Sequence, residues 1–496
     1  MQVEELLIAK GMLQPSDMER AAARRRERGG RITDSLLALG LIGLEQLHAL
    51  HTAAPPPAPV SIEATGIGTR SQLRFLIKAI HIAGMDTAPR LVDMLKLPSG
   101  VVSNLLQEAI DRKLLEIIGS DNSASIPILK YALTDRGRSW ANEALEHSRY
   151  VGPVPVPLAA FTDQVLRQAI SNERVDRERI TRSFGDLVVS DQFVNRVGPA
   201  INSGRSILLY GPPGNGKSSV AKKIGRLFSD IIYIPYCIEV EGQIIRIFDP
   251  SIHQEVKKPD VTWAQEVEIR RDEVDERWVN CWRPVVITGG ELTLDMLDLQ
   301  WSNSAKFYEA PLHVKALGGT FVIDDFGRQL VRPHDMLNRW IIPLENRIDY
   351  LKLYTGKSFS LPFDELVIFS TNLTPTDLMD PAFLRRIPYK IEVGAPTRGE
   401  YQAIFERIAR DHGMDLPDDT VPSIIEELQG KKDLPLGCYQ PSFIVEQVIA
   451  SCRFDRRAPQ FSKELVGDAL SNLFTSASEG NAAAHRRATA NGSEHH

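Results

Sequence analysis

Cysteine is scarce: four residues in 496, at Cys237, Cys281, Cys438 and Cys452, with no C-x-x-C pair among them. That spacing signals neither a zinc knuckle nor a disulfide framework, and it suits a reducing compartment. An excess of basic residues is also missing. Lys and Arg number 58 against 64 Asp and Glu, a formal charge of −6, so the chain as a whole is not built to bind a polyanion. No apolar run approaches the length of about 18 residues that crossing a bilayer demands. Glu4 and Glu5 stand where a secretory signal carries basic residues. A cytoplasmic chain that does not insert into membranes is expected. What is present is ordinary globular composition, 43% hydrophobic and 25% charged. The length predicts about three domains.

Two proline clusters, Ala53 to Pro59 and Gly152 to Pro157, cannot continue a helix or a central strand and read as stiff spacers. They set the expected boundaries: a helical repeat unit at 1–51, a linker at 52–69, a second helical module at 70–150 and a linker at 151–183. An α/β core follows at 184–396, then a helical lid at 397–474 and a disordered tail at 475–496, which has little to bury.

Within the first unit, Leu7 to Leu13 returns as Leu36 to Ile42, with Gly11 answered by Gly40. Two similar helical units are implied, each with a glycine stop. The pattern resembles the MshEN-type N-terminal domain of type II secretion and type IV pilus ATPases. Members of one subclass bind cyclic di-GMP through an Arg-Leu-Gly opening each repeat. Here Arg31-Ile32-Thr33 keeps only the arginine, and the first repeat begins Met1-Gln2-Val3, so the resemblance implies a protein-docking module ahead of a cyclic di-GMP sensor.

The second unit has apolar positions at helical spacing in Leu73–Ile82, Ala88–Leu95 and Gly100–Ile110, then two strand-like runs at Leu114–Ile118 and Ile128–Leu133. It resembles a winged helix-turn-helix. Its third helix offers Ser99, Ser103, Asn104 and Gln107 beside Glu108 and Asp111, with Arg112 and Lys113 only at its end. Phosphate contacts want Lys or Arg, so a protein-contact or spacer role is favoured over DNA reading.

The core opens with Gly211, Pro212, Pro213, Gly214, Asn215, Gly216, Lys217 and Ser218, followed by Ser219, after the apolar run Ser206–Tyr210 and before a helix-like segment. This is G-x-x-x-x-G-K-[ST], a cradle for nucleotide phosphates. Backbone N–H groups face the phosphates, Lys217 reaches the β/γ-phosphates, and the Ser218 hydroxyl is placed to ligate Mg²⁺. ATP and Mg²⁺ are the expected cofactors. Downstream, Gly318–Ile323 reads as a buried strand ending in Asp324 and Asp325, the first to hold Mg²⁺ and the second to orient and deprotonate water. Leu366–Thr371 is a third apolar strand, ending in Asn372, whose amide suits the lytic water or the γ-phosphate. Arg385 and Arg386 close a helix-like segment before a fourth strand. Ile231–Pro235 reads as strand two of the core, with an insertion of about 80 residues between it and Asp324 by comparison with a minimal core.

This ordered set resembles the AAA+ ATPases from Phe184 to Phe474. The resemblance implies a multidomain protein with an α/β P-loop NTPase core and an α-helical lid. It makes Gly211–Ser218 Walker A, Asp324 and Asp325 Walker B, Asn372 sensor 1, and Arg385 with Arg386 an arginine finger acting on a neighbouring subunit. A homo-oligomer, expected to be a hexameric ring, follows from that. Asp325 departs from the usual Glu and puts fast turnover in doubt. No arginine opens the helix after Gln440, so a sensor 2 arginine is not expected. Tyr350–Phe359 reads as a hairpin, Gln265–Arg277 as a solvated charged helix, and Phe307-Tyr308-Glu309 as a buried aromatic pair ahead of an axial loop. The functional expectation is an ATP hydrolase remodelling or assembling a protein client, with the repeat resemblance pointing to a client near pilus or secretion machinery. Two alternatives stay open: an ATP-switched winged-helix DNA-binding regulator, and a slow-hydrolysing nucleotide-dependent scaffold.

Overall fold

The computed structural model describes residues 13–28, 32–42, 55–121, 128–228, 230–256, 274–378 and 381–473. The first copy of the repeat up to residue 12, Arg31, the start of the first proline cluster and the tail 475–496 lie outside these residues.

Helices Pro15–Arg28 and Ile32–Ala38 pack through Leu13, Ala21, Leu36 and Ile42. Residues 69–147 form helices Thr69–Ala83, Ala88–Leu95 and Ser99–Asp111, an antiparallel pair β1 (Leu115–Asp121) and β2 (Ile128–Leu133), and helix Asp135–His147. The strands that follow are β3 (Val156–Pro157), β4 (Ile207–Tyr210), β5 (Ile231–Pro235), β6 (Cys237–Val240), β7 (Gln243–Arg246) and β8 (Trp278–Trp282). Then come β9 (Val285–Thr288), β10 (Gln300–Ser302), β11 (Phe307–Glu309) and β12 (Thr320–Ile323). The last four are β13 (Ile348–Lys352), β14 (Ser358–Pro362), β15 (Leu366–Thr371) and β16 (Tyr389–Glu392).

β16, β4, β15, β12 and β9 hydrogen-bond in that order, every pair parallel. β12 and β15 are buried along their whole length, and both carry unbroken apolar character because a parallel sheet is covered on both faces. All the loops that follow these strands therefore open at one end of the sheet, where α/β folds collect their ligands.

β9, and not β5, is the outer neighbour of β12. β5 instead pairs antiparallel with β8, away from the parallel sheet. Both segments are short apolar runs, and which one joins the sheet depends on a contact distant in sequence. Helix Lys217–Gly225 packs so closely over β9 that a Cβ on Gly225 would lie 2.8 Å from Val285. The extra chain thus precedes the outer strand of the sheet. Part of it joins a second five-stranded sheet ordered β10, β11, β7, β6, β3, with hairpin β13–β14 packed nearby through Tyr354 and Trp301.

The two proline segments are not spacers in this structure. Val156 and Pro157 form β3, parallel to β6, and helix Leu158–Arg167 inside the expected 151–183 linker buries Phe161 and Val165. Pro157 is confined to a sheet edge, where its missing N–H costs no ladder bond. Arg277 fastens both segments: its guanidinium donates to the carbonyls of Thr65 and Pro155 and pairs with Asp275 at 2.8 Å, all buried, while the Asp275 N–H donates to Pro56 O. Residues 265–273 of the expected charged helix lie outside the described residues, and its described end is this buried pair. Cys237 and Ile244 share one apolar core with Leu76, Leu105 and Tyr150, so the 69–147 module and the second sheet pack as a continuous body. Tyr308 is buried in β11 and Phe307 packs edge-on against Tyr150, which is the aromatic-pair reading.

The segment expected to be the lid comprises helix Arg398–Asp411, opened by a capping box between Thr397 and Glu400, then Thr420–Ile425, a π-helical turn Glu426–Lys431, helix Gln440–Phe454 and a last helix at 463–473. Its core of Tyr401, Phe405, Ile424, Ile444 and Val448 is separate from that of the sheet.

Candidate functional site

β4 ends at Tyr210, and the chain turns through Gly211–Gly216 into helix Lys217–Gly225. Gly214 and Gly216 have φ of +77° and +79°, a region L side chains avoid, and a Cβ on Gly214 would meet the Tyr439 ring at 2.4 Å. Gly216 caps the helix without any side-chain hydrogen bond, so the first-turn N–H groups remain directed at the cleft. That is the geometry of an anion cradle. Lys217 Nζ donates to Gly211 O at 3.0 Å and Pro212 O at 2.7 Å. Burial pushes its pKa down, and the charges of Asp325 and Asp324 oppose that.

Three strand ends meet beside the cradle. Ser218 Oγ donates to Asp324 Oδ1 at 2.8 Å, and Asn372 Nδ2 donates to Asp325 Oδ1 at 3.0 Å. Asp325 sits at φ +49°, with its N–H on Asp324 Oδ1 at 3.1 Å. This left-handed turn points successive carboxylates to different places, where regular β geometry would put them on opposite faces of the sheet. The turn is braced from β15: Phe326 N–H donates to Ser370 O and Thr371 Oγ1 to Phe326 O, both at 2.7 Å. Gln329 Nε2 holds Asp324 O at 2.9 Å.

The cradle forms one end of a cleft of about 860 Å³. Leu187, Val189, Ile404 and Ile408 give its other end an apolar lining, which suits a nucleobase. Three lining residues carry no recognisable sequence signal. Tyr439, at the start of lid helix Gln440–Phe454, donates its N–H to Gly214 O at 3.0 Å, and Cys438 N–H reaches Asn215 Oδ1 at 3.4 Å. Arg407, on lid helix Arg398–Asp411, also lines the cleft. The lid thus meets the cradle through backbone and an aromatic ring, at the place where no sensor 2 arginine is expected.

The donor set fits magnesium and nucleotide phosphates: an uncapped helix N-terminus, a lysine directed at the turn, and a hydroxyl paired with a carboxylate. Asp324, Asp325, Asn372, Lys217, Ser218 and Ser219 are brought together; Arg385 and Arg386 are not. Ser206, just before β4, donates its hydroxyl to Arg386 O at 3.2 Å, so both arginines sit at the end of the sheet opposite the cradle. Arg386 pairs with Glu345 at 2.8 Å, and Arg385 is exposed.

A family model described as a domain of unknown function, DUF8689, matches residues 397–472, within the C-terminal helical segment. No curated protein matches. Among solved structures the chain is similar to NtrX from Brucella abortus, at 15% identity and a TM-score of 0.35, over 67% of this chain and 61% of that one. It is similar to a RuvB mutant from Thermotoga maritima at 12% identity and a TM-score of 0.31, over 61% of this chain and 72% of that one. The chain therefore spans about three-fifths of the length of NtrX. Among the described residues no helix is long and apolar enough to cross a membrane.

Proposed function

We propose that the chain is an AAA+ type ATPase that works as a ring and uses ATP hydrolysis to remodel a protein client. The observation that carries this reading is the hydrogen-bonded series Ser218–Asp324 and Asp325–Asn372 at the mouth of the glycine cradle. Ser218 and Asp324 would hold Mg²⁺, which supplies charge neutralisation on the β/γ-phosphate oxygens. Lys217 leaves its two carbonyl partners for phosphate. Asp325 accepts the proton of the attacking water, and Asn372, already fixing one carboxylate oxygen, orients it. The apolar end of the cleft receives the base, and the Tyr439 contact ties the lid's position to the occupancy of the cradle.

The transition-state cation comes from the next subunit. Arg385 and Arg386 cannot serve their own site, because β4 separates them from it, while the far end of the sheet is where a neighbour's cleft would abut. Of the two, Arg385 is free to reach outward and Arg386 holds Glu345. A protein client fits the 69–147 module better than DNA does, since its third helix exposes Ser103, Asn104 and Gln107 with no cation before Arg112. The experiment is mass by light scattering alongside specific ATPase activity across protein concentrations. Activity that rises with oligomer mass is expected; constant activity from a monomer would overturn the ring.

A further inference from the structure

We propose that the 69–147 module carries a second, separate ligand site: a cationic cleft that takes a small nucleoside phosphate. The cavity measures about 410 Å³ and is lined by Arg70, Arg112, Arg136, Leu114, Trp140 and Glu143. Its walls come from three elements that the fold pins together. Arg70 lies in the first turn of helix Thr69–Ala83, Arg136 in the first turn of helix Asp135–His147, and Arg112 caps helix Ser99–Asp111. Thr134 locks the second of these helices to the third: its hydroxyl donates to Lys113 O at 2.8 Å and accepts from Gly137 N–H at 3.0 Å. Gly137 sits so close that a Cβ there would lie 2.1 Å from Leu114 O. The Arg112 and Arg136 sides of the cleft are therefore held on one rigid seam.

The electrostatics of this arrangement are unbalanced. Two of the arginines occupy helix first turns, where the macrodipole disfavours a cation and favours an anion. Glu143 is the one carboxylate in the lining, shared by Arg70 at 4.0 Å and Arg74 at 3.6 Å. Arg112 is paired with Glu108 at 2.7 Å, whereas Arg136 has no ion-pair partner among the described residues. A phosphate entering between Arg70, Arg112 and Arg136 supplies the counter-charge that Arg136 lacks and adds to the weak 4.0 Å pairing of Arg70, and guanidinium forks match its oxygens. The apolar part of the lining specifies more than inorganic anion. Trp140 is half-buried and Leu114 buried, which gives a planar base an aromatic and an aliphatic surface in a cavity of small-molecule size. A duplex would need cations along the neighbouring helix face, and that face is neutral or acidic up to Arg112.

The test uses the full-length chain carrying Lys217→Ala, to weaken binding at the P-loop, and titrates it calorimetrically with AMP and with pyrophosphate. Saturable binding of both probes is expected. Replacing Arg70, Arg112 and Arg136 together with Gln should weaken both at least about tenfold, with an unchanged melting temperature because all three side chains are exposed. Trp140→Leu should weaken AMP by about three- to tenfold while leaving pyrophosphate unchanged, as expected when a base stacks on the ring. Absence of saturable heat at millimolar probe, equal affinity in the triple-Gln protein, or a short DNA duplex that displaces AMP and binds more tightly would each overturn the proposal.

Discussion

Removing the Arg385 guanidinium separates action within a chain from action between chains, because the two differ by orders of magnitude. Ser206 fixes Arg386 at the start of β4, and the cradle begins at its end, four residues on. At about 3.3 Å per residue that is roughly 13 Å. A unit charge at that range is worth about 0.3 kcal/mol in water and about 1.3 kcal/mol at an effective dielectric of 20. Arg385→Ala acting on its own site would therefore slow hydrolysis by no more than about tenfold. A guanidinium placed directly on a neighbour's γ-phosphate contributes about 10³ to 10⁵ in rate. The larger loss is predicted for Arg385→Ala. Arg386→Ala should also destabilise the fold through loss of the Glu345 pair. The assay is steady-state phosphate release with Arg385→Ala and Lys217→Ala chains, alone and mixed. Each alone should be nearly inactive. An equal mixture should recover about a quarter of wild-type activity, since about one interface in four then joins an intact cradle to an intact arginine. A loss under tenfold, or no recovery at any ratio, would refute the placement in trans.

Asp325→Asn should retain ATP binding and lose turnover by about a hundredfold or more, and Asp325→Glu should raise turnover by bringing the carboxylate one methylene nearer the water; an unchanged or lower rate in the Glu variant removes the shortened side chain as a brake. Arg277→Ala leaves Asp275 buried without its partner and frees both proline segments, so a loss of about 3–5 kcal/mol is expected, with new protease cleavage near residues 56–66 and 152–157. Asp349 is buried, which alone would raise its pKa, but hydrogen bonds from His313 and Arg339 outweigh this and lower it from 3.8 to about 2. Its folded pKa is therefore depressed, so its contribution, on the order of 2 kcal/mol, is present above pH 4 and lost as pH falls toward 2. Asp349→Asn should flatten that acid limb in urea melts; an unaltered pH slope would refute the assignment.

The residues that meet at the mouth of the cradle are readable because each ends a run with a simple local signature. A glycine turn with positive φ, a buried strand closing in two carboxylates and a buried strand closing in an amide all state their geometry in a few residues. Partner choice is not readable. Val285–Thr288 and Ile231–Pro235 look alike as sequence, and only the close seat of Gly225 against Val285 distinguishes the sheet member. The proline segments mislead for a related reason. Val156–Pro157 can pair at a sheet edge because Pro157 needs no N–H there, but the Arg277 clamp that recruits the segment lies more than a hundred residues from both Thr65 and Pro155. Tyr439 and Arg407 come to the cleft through the packing of the lid, whose core is formed by its own helices. The left-handed backbone at Asp325, which sets the carboxylate's aim, likewise has no sequence signature, since aspartate visits that region without requiring it.

The central claim is tested most directly by phosphate release from the purified chain with ATP, with and without Mg²⁺, beside Lys217→Ala. Metal-dependent turnover that Lys217→Ala reduces to background is predicted, because the cradle then loses the lysine that would move onto the phosphates. Turnover equal in the two proteins, or none in the wild type at any protein concentration, would contradict the assignment.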